Sequence, residues 1–197
     1  GHRVIVLETA KKTYRNLLRR SNQAPRVYTL GDSRVFPFRL NPFYFDTGTS
    51  LKQHISVLSD ALSELLPTEA LIGPKLREAA EKCYTDCGWD IENGRMRAGD
   101  AKPVYPTMVD FNIAVRAVCE TLEDYGPEVR ANYKGALLNR ARIFLDDVYQ
   151  DIFAFDGDYA FADLLARDVI IEMEEMPPSE INMPAFIISM VLHRLRA

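Results

Sequence analysis

An apolar, β-branched run over residues 3–8 (RVIVLE) ends in Glu8, and an acid at the carboxyl end of a buried parallel strand points into the crevice where open α/β sheets bind ligands. Position makes Glu8 a candidate site residue. A local role competes for the same carboxylate, which can cap, or pair with the dipole of, a helix starting near Ala10. Lys11 and Lys12 stand at that helix start, where the dipole disfavours cations, so their placement points to an acid or a phosphate close by. The three histidines, His2, His54 and His193, lie in unrelated settings. His54, one turn into an amphipathic segment, is expected on the surface or the capping side of its helix rather than as a ligand. Cys83 and Cys87 share a helical face, but two thiols fall short of the three or four protein ligands zinc usually takes, and with Cys119 they are expected as reduced packing residues. Trp89, between Gly88 and Asp90, suits a packing anchor. Phosphate-loop (G-x-x-x-x-G-K-S/T), dinucleotide (G-x-G-x-x-G), nucleophile-elbow (G-x-S-x-G) and zincin (H-E-x-x-H) patterns are all missing.

The elements that must position these residues follow from the periodicity. After the strand over 3–8, a helix over 10–20 carries Tyr14, Leu17 and Leu18 on one side and Lys11, Lys12, Arg15, Arg19 and Arg20 elsewhere. Gln23, Ala24 and Pro25 break it before a second short strand over 27–30 (VYTL), which Gly31 and Asp32 end, completing a βαβ unit. Residues 34–50 alternate aromatics with Pro37, Pro42 and Gly48, as an ordered loop packed on its own rings would. Leu51, Ile55, Leu58, Leu62 and Leu65 recur at helical spacing behind Ser50 as a possible N-cap, and Pro67 stops that helix. Helices are further expected over 74–87, behind a Thr107-x-x-Asp110 capping box, over 128–148, and over 184–195, with a polar loop over 94–103 and a loop over 153–157. A short helix ends at Leu164 and Leu165, and a third buried strand (VIIEM) runs over 169–173. Short strands at the two ends of the chain with helices between them describe an α/β core, 1–49 and 166–197, that carries a dominant all-helical insertion, 50–165. A parallel sheet of three strands leaves edges that a larger parent would cover.

At 197 residues, with 47% hydrophobic and 26% charged residues, the chain has an ordinary globular composition and length for one domain or one large domain with an appendage. Twenty-four basic against 28 acidic residues leave a net charge of −4, so any nucleic-acid surface must be local. No apolar run approaches the roughly 18 residues of a membrane span, and the first residues lack the order of a secretory signal; a cytoplasmic protein without a membrane partner is the expectation.

Taken as a string, the chain resembles the HerA/FtsK class of P-loop ATPases, most closely HerA-like ATP-binding proteins, over essentially its whole length. The family's strand-end acid and its Pro-Ala-Lys-x-Glu-Tyr-Arg run are similar to Glu8, Ala10, Lys11, Tyr14 and Arg15, with departures at Thr9 and Thr13, where the family usually has Pro and Glu. Its Leu-Gly and Pro-Phe-Arg-Leu-Asn-Pro-Phe match Leu30-Gly31 and residues 37–43, the most specific correspondence. His54, Tyr84, Gly88 to Asp90, Pro106-Thr107 with Asp110, Glu128, Arg140 and residues 169–172 fall in the family's order. The resemblance implies an internal segment of a P-loop ATPase, between a Walker A helix before His2 and a Walker B strand after Ala197, inactive alone because both nucleotide signatures are missing. It further implies ATP and Mg2+ in the parent, with Glu8 holding a magnesium-bound water or orienting the attacking water and Lys11 near the nucleotide. The parent is then a ring-forming motor, a hexamer, on double-stranded DNA, with Lys12, Arg15, Arg19 and Arg20 as the place to look for DNA contacts and a nuclease or effector as a possible partner. Arg140 and Arg142 could act across a subunit boundary, although a surface role suits them better. In the alternative, the block is a non-catalytic docking module of a divergent HerA-like protein that recruits a nuclease or defence effector.

Overall fold

A computed structural model of the chain describes residues 3–18, 24–32, 37–46, 48–65, 72–97, 99, 102–121, 126–154, 164, 166–177 and 181–196. In chain order the elements are β1 (Ile5–Glu8), α1 (Tyr14–Leu18), β2 (Arg26–Thr29), α2 (Leu51–Leu65), α3 (Ile72–Asp86), β3 (Trp89–Asp90), β4 (Arg95–Met96), α4 (Met108–Glu120), α5 (Pro127–Arg142), a 3-10 turn (Ile143–Leu145), α6 (Asp147–Phe153), β5 (Val169–Glu172) and α7 (Met183–Arg196).

The sheet has the order β1-β5-β2, all parallel, so the last strand in sequence lies between the first two. Burial follows that order. Every residue of β5 is buried, as a continuous apolar run covered on both faces requires, whereas β1 and β2 are each only partly buried. Asp168 fixes both neighbours at the amino end: its carboxylate accepts from the Val4 amide at 3.0 Å and its carbonyl from the Arg26 amide at 2.9 Å.

One apolar core runs from the sheet into the helices, joining Tyr28, Val169 and Ile171 to Leu58, Leu62, Leu76, Phe111, Phe144 and Ile187. Within it α2 packs on α3 and α7, and α4 on α3 and α5. The capping box at α4 forms as its sequence prescribes, with Thr107 and Asp110 each satisfying the other's backbone amide. In the described part of the aromatic loop, residues 37–46 and 48–50, the rings pack outside the loop. Phe43 and Phe45 enter the helical block, where Phe45 lies 5.0 Å from Trp89 and the Tyr84 hydroxyl donates to the Phe43 carbonyl. Asn41, wholly buried, donates to the Pro106 carbonyl and accepts from the Phe43 amide. Trp89 is the anchor expected, its indole N–H donating to the Val104 carbonyl at 2.7 Å.

Several expectations need correction. The helix after β1 begins at Tyr14, not Ala10, because Glu8 draws the Thr13 amide and hydroxyl to itself and residues 9–12 loop around that contact. The helix expected over 128–148 breaks after Arg142: a 3-10 turn follows, Asp146 is extended, and α6 folds back so that Phe144 and Phe153 meet edge to face at 5.3 Å. The polar stretch from Gly94 opens with half of a hairpin, since Asp90 accepts from the Glu92 and Asn93 amides and turns β3 onto β4. Arg19, Arg20, Pro67 and Leu165, and residues 155–163, lie outside the described residues. Among the described residues, no helix is long and apolar enough to cross a membrane.

Candidate functional site

The carboxyl ends of the three strands form a polar row. Glu8, Glu172 and Thr29 are register partners across β1, β5 and β2, so the last residue of each strand stands beside the others at the carboxyl edge of the sheet. All three are buried.

Glu172 is the most enclosed of them, with no exposure. Its two oxygens accept from Nε and Nη2 of Arg15, both at 2.5 Å, a fork-to-fork pair that satisfies the carboxylate in the plane a guanidinium offers. Thr29 completes the arrangement by donating its hydroxyl to Glu172 at 3.1 Å while accepting from Arg15 Nη2 at 3.1 Å. The carboxylate raises the Arg15 pKa through that hydrogen bond, so Arg15 stays charged at any working pH.

Glu8 is held differently. One oxygen, Oε1, accepts from both the amide and the hydroxyl of Thr13 at 2.7 Å. The other, Oε2, is buried and has no hydrogen-bond partner among the described residues. A buried carboxylate oxygen left without a donor costs on the order of 1–3 kcal/mol or more, so this oxygen suits a cation or a polarised water. The local role of Glu8 is the one made visible, since Oε1 organises the start of α1, while Oε2 stays buried without a donor among the described residues.

Lys12 pairs with Glu175 in the turn after β5, which raises the ammonium pKa through their hydrogen bond, and Lys11 is exposed. With α1 beginning at Tyr14, neither lysine sits on a helix terminus, and the inference from an unfavourable dipole no longer applies. Of the four residues expected to contact DNA, Lys12 and Arg15 hold acids of their own chain, while Arg19 and Arg20 lie outside the described residues. Gly31, just after β2, has φ +92°, and a Cβ there would lie 2.6 Å from the Glu175 carbonyl oxygen. Only glycine lets the two loops of the edge approach so closely. A cleft of about 160 Å³ opens beside it between Thr29, Phe38 and Ile152, but Asp32 and Asp151 among its walls make it a poor phosphate pocket.

Sequence reasoning singled out Glu8 at this edge and gave no site role to Glu172, Thr29 or Thr13. The signal for Glu172 was the one that identified Glu8, since VIIE repeats the pattern of IVLE. His54 departs from its surface expectation. It is 1% exposed, and its Nε2 must carry the proton it donates to the Pro42 carbonyl at 3.1 Å, which leaves Nδ1 to accept from His193 Nε2 at 3.1 Å. Beside this pair Arg194 bonds to Asp46 and stacks on Tyr44. Burial pushes the Cys83 thiol pKa up, as befits a packing residue.

No family model matches the chain, and no curated protein sequence matches it. Among solved structures it is similar to VirB4 of Thermoanaerobacter pseudethanolicus, with a TM-score of 0.59 at 17% identity over 98% of this chain and 69% of that one. The aligned span takes in the helical block as well as the strands. At this identity the likeness is one of fold: the chain is α/β, and its short parallel sheet with the helices around it is consistent with part of a P-loop ATPase fold.

Proposed function

We propose that the chain is an internal segment of a nucleotide-driven, ring-forming DNA translocase of the FtsK/HerA type, in which Glu8 serves the nucleotide site. One observation carries the reading: Glu8 ends β1 at the carboxyl edge of a parallel sheet, buried, with Oε2 lacking a donor. That edge is where α/β sheets place ligands, and a hard oxygen there suits the water shell of Mg2+. The likeness to VirB4, a P-loop ATPase of the same superfamily, supports the nucleotide part of the proposal. HerA-like identity within that superfamily, the hexameric ring and double-stranded DNA rest on the motif order alone.

ATP and Mg2+ belong to the parent, whose phosphate loop and Walker B acid would lie outside these 197 residues. Bound there, the metal neutralises charge that develops on the transferred phosphate. This chain contributes the ordered carboxylate of Glu8, held by Thr13, and a rigid floor made by the Arg15–Glu172 pair. Lys11 is the described cation nearest Glu8 in sequence that is left exposed. The test is nucleotide hydrolysis by the full-length parent, with and without double-stranded DNA. Wild type is expected to turn over and to be stimulated by DNA, and Glu8→Gln to lose at least tenfold in kcat. Unchanged turnover in Glu8→Gln overturns the role of Glu8, and a wild-type parent without hydrolysis overturns the motor in favour of the docking module.

A further inference from the structure

Thr13 is exposed, sits in a loop and carries no charge, so nothing in its type marks it as part of a site. Its contacts do. Its amide and its hydroxyl both reach the same atom, Oε1 of Glu8, at 2.7 Å. Two donors converging on one carboxylate oxygen fix both the position of the carboxyl group and its rotation about the Cγ–Cδ bond, because the second oxygen must then lie on the far side of that bond. That second oxygen is Oε2, the buried atom without a partner.

Glu8 has no other orienting contact among the described residues. Arg15 is committed to Glu172 and Thr29 and acts on Glu8 only through the field of its charge. A glutamate has three side-chain torsions, and in a site that must hold a reacting group within about 0.5 Å the residue that freezes them matters as much as the carboxylate itself. We propose that Thr13 is the positioning residue for Glu8, its hydroxyl holding Oε1 so that Oε2 is turned toward ligand. This rests on the nucleotide-site reading of Glu8 given above.

The amide contact survives any side-chain substitution, so variants at Thr13 isolate the hydroxyl. In the full-length parent, Thr13→Val keeps the shape and removes the donor, whereas Thr13→Ser keeps the donor. Thr13→Val is expected to lower kcat by roughly tenfold, with KM for ATP and the Kd of the non-turning-over complex with ADP within twofold of wild type and the melting temperature unchanged. Thr13→Ser should return kcat to within about threefold. A crystal structure of the Thr13→Val protein provides a readout independent of turnover, and in it the Glu8 carboxylate should be rotated away from its wild-type orientation.

Wild-type kcat in Thr13→Val, or an unmoved Glu8 in its structure, overturns the assignment. A loss of kcat that Ser does not rescue, or that comes with a matching loss of stability, assigns Thr13 to folding instead and overturns it too. If wild type hydrolyses ATP, Glu8→Gln does not and Thr13→Val does, the positioning role falls alone. If the wild-type parent hydrolyses nothing, the nucleotide-site reading falls and takes this assignment with it.

Discussion

Glu8 and Glu172 stand in register at the ends of two adjacent parallel strands, both buried, and among the described residues only Glu172 has a direct cationic partner. Like charges set directly opposite on neighbouring strands repel, so the sheet edge depends on how each carboxylate is compensated. Arg15 takes Glu172 by a two-pronged bond, and Thr13 takes Glu8 by dipoles alone. The division of labour leaves a spare carboxylate oxygen on the Glu8 side and none on the other.

Removing Arg15 should therefore damage the fold rather than a ligand site. Arg15→Met leaves a fully buried carboxylate with only the Thr29 hydroxyl, and unfolding by urea should show a loss on the order of 3 kcal/mol, toward the low end for a broken buried pair because the guanidinium is partly solvated. Adding Glu172→Gln to that variant should recover a substantial part, since it removes the stranded charge.

The buried His54 ring makes stability depend on acid. Burial, the neighbouring His193 and the charge of Arg194 lower its pKa from 6.5 to about 3, against an accepting Pro42 carbonyl that favours the proton; Asp46 and Tyr84 are the other ionisable groups facing the cluster. Between those two values the unfolded chain binds the proton and the folded chain does not. The contribution of His54 is thus fully present above pH 6.5 and is lost as the pH falls toward 3, with a slope approaching 1.4 kcal/mol per pH unit. Chemical denaturation at pH 7 and pH 5 should show the loss in wild type and a smaller one in His54→Asn, and the His54 ring signals should not titrate above pH 5 in an NMR series.

Two glycines should respond in opposite directions to the same substitution. Gly31→Ala places a Cβ against the Glu175 carbonyl at a positive φ and is expected to cost at least about 2 kcal/mol. Gly135→Ala, in the body of α5 with nothing within 4 Å of the added carbon, should stabilise by about 0.5–1 kcal/mol. Melting temperatures of the two variants decide both.

Thr107→Ala removes the side chain that caps α4 and strands the first-turn amide of Asp110. A loss of about 1 kcal/mol is expected in thermal unfolding, with Thr107→Ser close to wild type.

What could be read in advance was what local chemistry decides. The three parallel strands, the amphipathic α2, the capping box at Thr107 and the Trp89 anchor each follow from residues within a few positions of one another. Contacts that only the folded chain makes could not be read, even between near neighbours. The start of α1 is set by the side chain of Glu8, and the break after Arg142 by the edge-to-face meeting of Phe144 and Phe153. The burial of His54 depends on α7, which is 139 residues away along the chain at His193. In the candidate site, Glu8 was legible because a strand end is a place of its own. Thr29 and Arg15 acquire roles only once β5 brings Glu172 to them, and Thr13 only through its bonds to Glu8.

That β5 lies between β1 and β2 also sets the order in which the molecule can be made. The first two strands emerge early from the ribosome and do not pair with each other; each waits for the same late segment, residues 169–172. At ordinary rates of synthesis that wait is on the order of ten seconds, during which two short β-prone stretches and the charged groups that will close the sheet edge stand without their template. Helices α2, α3 and α4 can assemble on one another in that interval, so the helical block can form before the three strands pair. The pairing of these three strands, and with it the row of Glu8, Glu172 and Thr29, follows that assembly.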